Sequence, residues 1–143
     1  MKKSLNLNLV KMDTANLDNV TGQYWEYFVS GQTLKQYLKI PRSSAVTPFG
    51  WFRNTESERR ALRQFRMQQK SSLINSRIEL YICAACGDIG CGSVTAQVKD
   101  FGNIIVWSEF ADAGNEEEVG EIYDVDPIEF DRTNYFQAFA CLP

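Results

Sequence analysis

The stretch from Arg77 to Phe110, RIELYICAACGDIGCGSVTAQVKDFGNIIVWSEF, leaves this chain little choice of fold. Ile78, Leu80 and Ile82 alternate with Glu79, Tyr81 and Cys83, and a period of two marks a half-buried strand over Glu79–Ala85. Val94, Ala96 and Val98 alternate with Ser93, Thr95, Gln97 and Lys99, a second strand with one wet face. Ile104 to Phe110 is a third, apolar enough to lie well inside a sheet. Asp100-Phe101-Gly102-Asn103 between them reads as a turn, because Gly102 can take a positive φ and its polar neighbours supply acceptors. Connections this short predict antiparallel pairing.

The flanks add elements of both kinds. Leu5, Leu7 and Leu9 alternate with Asn6 and Asn8, and Gln23–Val29 (QYWEYFV) is a second strand expected to pair with the first. In that strand Trp25, Tyr27 and Val29 fall on one side, Tyr24 and Phe28 on the other. Thr33 caps a short helix, Leu34–Leu38, which Pro41 stops. Pro48, Phe49, Gly50, Trp51 and Phe52 form an aromatic loop, a core plug more readily than a lid. Thr55 and Glu58 have capping-box spacing at the head of a helix from Glu56 to about Gln69. Its Ala61, Leu62 and Phe65 share a face, with Arg59, Arg60, Arg63 and Arg66 around it, either solvated or paired with acids from later in the chain. Ala111–Glu121 (ADAGNEEEVGE) reads as a flexible acidic loop, Ile122–Val125 and Ile128–Phe130 as extended pieces, and Asp131 as the N-cap of a last helix, Arg132–Ala140. The expected fold is therefore α+β: a single domain, 1–143, with a mainly antiparallel sheet of about five to six strands and two to three helices packed on it.

Composition narrows function mostly by exclusion. The chain has 143 residues and 44% hydrophobic content, enough for a real core. It contains no apolar run near the roughly 20 residues of a membrane helix, and MKKSLNLNLV lacks the apolar core of a secretion signal, so a cytoplasmic location is expected. Histidine, the usual acid–base group near neutral pH, is absent, which disfavours an enzyme. Residues 1–99 hold 14 Lys and Arg against 7 Asp and Glu; residues 100–143 hold one, Arg132, against 11. Such asymmetry suggests an electrostatically tuned contact surface, or two solvated faces that offset each other in space. A basic helix within a protein of pI about 5.0 is a weak footprint for nucleic acid.

The cysteines admit several chemistries. Cys83-Ala-Ala-Cys86-Gly-Asp-Ile-Gly-Cys91-Gly is a glycine-rich hairpin loop, or a metal knuckle in which Cys83, Cys86 and Cys91 hold zinc with Asp88 or Cys141 as fourth ligand. A redox CxxC normally opens a helix, whereas Cys83 ends a strand. Reduced, mostly buried thiols without a bound metal or cofactor are the expected state.

The block Tyr81-Ile-Cys83-Ala-Ala-Cys86-Gly-Asp-Ile-Gly-Cys91-Gly92-Ser-Val-Thr95 resembles a motif of small bacterial proteins of unknown biochemistry. Their strand ends in C-x-x-C-G-D-x-G-C-G and a tryptophan-bearing strand follows, as Val106-Trp107 does here. Val29-Ser-Gly-Gln-Thr-Leu34 and Phe130-Asp-Arg-Thr-Asn-Tyr135 are similar to two further segments of those proteins. The resemblance implies an α+β architecture and no catalytic residues. An oxidoreductase label attached to some members finds no GxGxxG here. In kind, a small acidic chain also resembles the immunity partners of bacterial toxins, including those of contact-dependent growth inhibition. That resemblance implies a protein partner, a cognate toxin domain such as a basic nuclease, and neither a membrane nor a nucleic acid. Carboxylates can occupy a surface built to hold phosphates, and Glu109, Asp112, Glu116, Glu117, Glu118, Glu121, Asp124 and Asp126 would serve. A small zinc or thiol protein built on Cys83, Cys86 and Cys91 is the alternative, and a purely structural interaction domain also stays open.

Overall fold

A computed structural model describes residues 4–13, 22–39, 45–51, 55–84, 89–140 and 142, with the side chains of Thr55 and Cys91 outside that description. Three strands, β1 (Leu7–Asp13), β2 (Gln23–Val29) and β3 (Gln32–Thr33), form one antiparallel sheet in that order. A second holds β4 (Ile78–Tyr81), β5 (Ser93–Asp100), β6 (Ile104–Ala113) and β7 (Glu121–Ile122), and β8 (Ile128–Asp131) also pairs with β6. Helices α1 (Leu34–Leu38), α2 (Thr55–Phe65) and α3 (Arg132–Ala140) complete an α+β fold. The class and the antiparallel pairing are those the sequence predicts. The strands divide into two sheets, however, because β2 lays its aromatic face across β6 instead of joining an edge: the Tyr27 and Trp107 rings meet edge-on at 5.5 Å. Two single bridges tie the first part of the chain to the second sheet, Leu5 with Phe130 and Val46 with Ile82.

The core is one continuous cluster centred on Trp107, which is fully buried. Its indole meets Phe130 at 4.8 Å, Phe65 at 5.9 Å and Tyr135 at 6.0 Å, all edge-on, the geometry that ring quadrupoles favour. Phe49 is the plug of the aromatic loop, 5.4 Å from Phe65, while Phe52 lies outside the described residues. Tyr81, expected on the outer side of its strand, is fully buried as well, because Tyr27 covers that side at 5.5 Å.

Local signals set the helix ends. Gln36 donates its N–H to the Thr33 hydroxyl at 3.2 Å, and its side-chain oxygen accepts from the Thr33 N–H at 3.1 Å. Lys39 closes α1 in the left-handed region, φ 56, and Pro41 lies outside the described residues. Helix α2 stops at Phe65, short of the expected Gln69. Met67 turns left-handed, φ 62, and Gln68 and Met67 donate back to Arg63 and Gln64 at 2.8 and 3.1 Å, a Schellman closure. The Thr55 half of the predicted capping box is outside the described side chains, and Glu58 accepts from the Gly50 N–H at 2.9 Å. Asp131 caps α3 as expected, taking the Asn134 N–H at 2.9 Å. The arginines in and just after α2 do not act alike: Arg63 pairs with Glu56 at 3.6 Å, and Arg66 donates to the Phe139 carbonyl at 2.9 Å, capping the far end of α3.

Candidate functional site

The acidic hairpin begins at a bulge. Between the pairs Gln97–Ser108 and Thr95–Ala111 the register slips, and Glu109 takes φ 51 to absorb the extra residue. Arg77 locks this bend. Its guanidinium donates to the Glu109 carbonyl, to the Thr95 hydroxyl at 2.9 Å and to the Thr95 carbonyl at 3.1 Å. Arg77 is buried; that burial lowers its pKa, and the nearby Glu109 charge works in the opposite direction. The same arrangement corrects the expectation of a wet face on β5. Thr95 is buried beneath Arg77, and Ser93 is buried with its one hydroxyl proton within reach of two acceptors, Glu79 at 2.9 Å and the Tyr81 carbonyl at 3.0 Å.

Beyond the bulge, β6 continues to Ala113, and Asp112 stands directly opposite Glu121 of β7. The connecting segment is not the free loop that its composition predicts. Ala111 and Ala113 are buried against β5, opposite Thr95 and Ser93, so the strand persists. Ile74 donates its N–H to the Glu116 carbonyl at 2.9 Å, and the Glu117 N–H bonds the Asn115 side chain at 2.9 Å. Gly120 closes the turn at φ +87, and a Cβ there would lie 2.1 Å from the Asp112 carbonyl oxygen. On this anchored frame Glu116, Glu117, Glu118, Glu121, Asp124 and Asp126 are all exposed. Asp112 is half-buried, and Glu109 is exposed but set apart at the bulge, beside the Arg77 cation. Ile122, 52% exposed, stands between Glu121 and Asp124 in sequence and opposite Ala111 in the ladder. An exposed apolar side chain in a charged segment is a candidate contact residue for a protein partner. Sequence reasoning took Ile122 for a strand residue and missed its exposure; the signal was a lone isoleucine within EVGEIYDVD.

A second ionisable group of side chains is hidden. Glu26, 1% exposed, accepts from the Tyr24 hydroxyl at 2.7 Å, the Tyr81 hydroxyl at 2.5 Å and the Tyr27 N–H at 2.9 Å. Lys35 of α1 completes it, its Nζ 3.9 Å from the carboxylate and over the Tyr24 and Tyr81 rings at 5.4 and 5.2 Å. Burial lowers the Lys35 pKa, and Glu26 opposes that shift. This cluster joins β2, α1 and β4, so it ties the two sheets together. Its members are bonded to one another, and we assign it to structure.

Of the thiol candidates, Cys83 is half-buried and lies two residues beyond β4, which stops at Tyr81 and not at Ala85 as its alternation predicts. Cys86, Asp88 and Cys141 lie outside the described residues, as does the Cys91 side chain. Among the described residues no group of three or more His, Cys, Asp or Glu is placed to hold a metal ion. Nor is any described helix long and apolar enough to cross a membrane. No protein-family model, no curated protein and no solved structure matches this chain.

Proposed function

We propose that this chain is a non-enzymatic binding protein, an immunity protein that neutralises a cognate bacterial toxin in the cytoplasm. Its acidic face would cover the basic active surface of the toxin, most simply a nuclease domain. The observation that carries this reading is the exposure of six carboxylates on and just after an anchored hairpin, with Ile122 exposed in the same segment. Anchoring matters because an ordered face loses little conformational freedom on binding, and concentrated negative charge accelerates encounter with a cationic partner. The partner would place Lys and Arg over Glu116, Glu117, Glu118 and Glu121, and one apolar side chain over Ile122.

The experiment is affinity capture by the tagged protein from the organism that encodes it, washed at low and then high salt. One stoichiometric basic partner is expected, released by salt and lost when Glu116, Glu117 and Glu118 are all reversed to Lys. A complex of unchanged affinity after that reversal would refute the acidic face.

A further inference from the structure

Strand β1 is the outer strand of the first sheet, with β2 on one side only. The direction of its backbone groups alternates. Ser30 donates its N–H to the Asn6 carbonyl at 3.1 Å, so the even-numbered residues bond towards β2. Leu7 points the other way, its N–H bonded to the Asn134 side chain at 2.8 Å. Leu9, Lys11 and Asp13 follow Leu7 in that alternation, and among the described residues no partner takes their outward N–H and carbonyl groups. Such an edge is a template for another strand. Val10, 43% exposed, and Met12, half-buried, share one face of it, while Lys11 and Asp13, both exposed, share the other.

A lysine on an edge ordinarily keeps other strands away. Here a carboxylate two positions along can answer it. Asp13 accepts from Gln23 Nε2 at 3.0 Å, a neutral contact that leaves its charge uncompensated. Antiparallel pairing of two copies admits few registers, because outward residues must face outward residues. Centred on Lys11, the pairing sets two ammonium groups against each other. Centred on Val10, it matches no charges and at its ends needs the Leu7 N–H, which Asn134 already holds. Centred on Met12, it sets Lys11 of each copy directly opposite Asp13 of the other, and opposite charges so placed stabilise a ladder.

We propose that β1 is a contact between two copies of this chain, joined antiparallel about a two-fold axis at Met12. Each Lys11–Asp13 pair exchanges backbone N–H···O bonds and closes an ion pair. Met12 meets its own counterpart, with Val10 diagonal to it on the same face and within reach. The same patch serves both copies, so the contact closes at a dimer. It uses the first sheet, whereas the acidic hairpin belongs to the second, and it stands if the toxin-binding reading falls.

The test is sedimentation equilibrium of the full chain between about 10 μM and about 1 mM. A monomer–dimer equilibrium is expected. Lys11→Asp alone and Asp13→Lys alone should each weaken it about tenfold or more, since each sets like charges opposite one another twice. The two reversals combined restore the match and should bring the affinity back to within about threefold; a merely structural role for either residue gives no such rescue. Lys11→Pro removes an N–H that faces away from β2, so it should leave the far-UV dichroism intact and abolish the dimer. The charge reversals, on exposed side chains, decide the matter without it. A chain monomeric at about 1 mM, a dimer indifferent to either single reversal, a combined reversal no tighter than the single ones, or a dimer of folded Lys11→Pro would overturn the proposal.

Discussion

Raising the pH should open this fold in one steep transition. Four phenols are buried and hydrogen-bonded: Tyr24 to Glu26 at 2.7 Å, Tyr81 to Glu26 at 2.5 Å, Tyr27 to the Leu80 carbonyl at 2.9 Å and Tyr135 to the Phe65 carbonyl at 2.8 Å. Burial pushes all four pKa values well above the ordinary range, and the Glu26 charge adds to the rise for Tyr24, Tyr27 and Tyr81. Unfolded tyrosines ionise near pH 10. A folded pKa above the unfolded one gives stability that is fully present below pH 10 and is lost as the pH climbs towards the folded value. Each withheld ionisation costs about 1.4 kcal/mol per pH unit, so four together cost about 5–6 kcal/mol per unit.

Lys35 works the other way. Its folded pKa is lowered, so between that value and the unfolded value of about 10.4 the unfolded chain holds a proton that the fold has released. Stability therefore rises with pH in that window, by at most about 1.4 kcal/mol per unit, and the gain ends where the tyrosine loss becomes steep. For a total stability of about 5–15 kcal/mol, cooperative unfolding falls about one to three units above pH 10. Far-UV circular dichroism and phenolate absorbance, followed together, should change in the same step for these four of the six tyrosines. Reversible ionisation of all six near pH 10 with the dichroism intact would show that the buried phenols are not held as described.

Two substitutions examine the frame. Glu26→Gln strands Lys35 beside two tyrosine rings without its carboxylate and should cost about 3–5 kcal/mol; the double change Glu26→Gln with Lys35→Met should cost less than the sum, measured by denaturant unfolding. Gly120→Ala puts a methyl group against the Asp112 carbonyl at a positive φ and should destabilise by more than about 1 kcal/mol, with hydrogen exchange at Ile74 rising as the loop releases its bond; unchanged exchange would mean that the loop is not anchored there.

Much of the fold was legible because its signals are local. The Asp100–Asn103 turn needs only a glycine and an aspartate: Gly102 has φ +93 and bonds the Asp100 carboxylate at 2.8 Å. The caps of α1 and α3 are likewise written in two or three residues. What was not legible depends on distant contacts. The end of α2 hinges on Met67 entering the left-handed region, which no glycine or asparagine announces. The division into two sheets depends on where the faces of β2 settle, and alternation within QYWEYFV cannot tell an edge partner from a facing one. Glu26 carried a faint signal, one carboxylate in an aromatic strand, but its partners Lys35 and Tyr81 lie 9 and 55 positions away. The acidic face shows the same split: its charge could be read directly, whereas its rigidity comes from Ile74, some forty positions earlier.

That rigidity leads to a last prediction, about the pair Asp112 and Glu121. Like charges directly opposite on neighbouring strands work against the hairpin by roughly 0.2–1 kcal/mol. A fold selected for stability alone has no use for them, since Gln at position 121 would keep the size and shed the repulsion. A surface that must meet a cation has every use for them. Glu121→Gln should therefore raise the midpoint of denaturant unfolding slightly and at the same time weaken capture of the basic partner. The two effects must have opposite signs. A drop in stability would mean that Glu121 supports the hairpin, and the like-charge argument would fail. Greater stability with undiminished capture would place the binding surface elsewhere on the molecule.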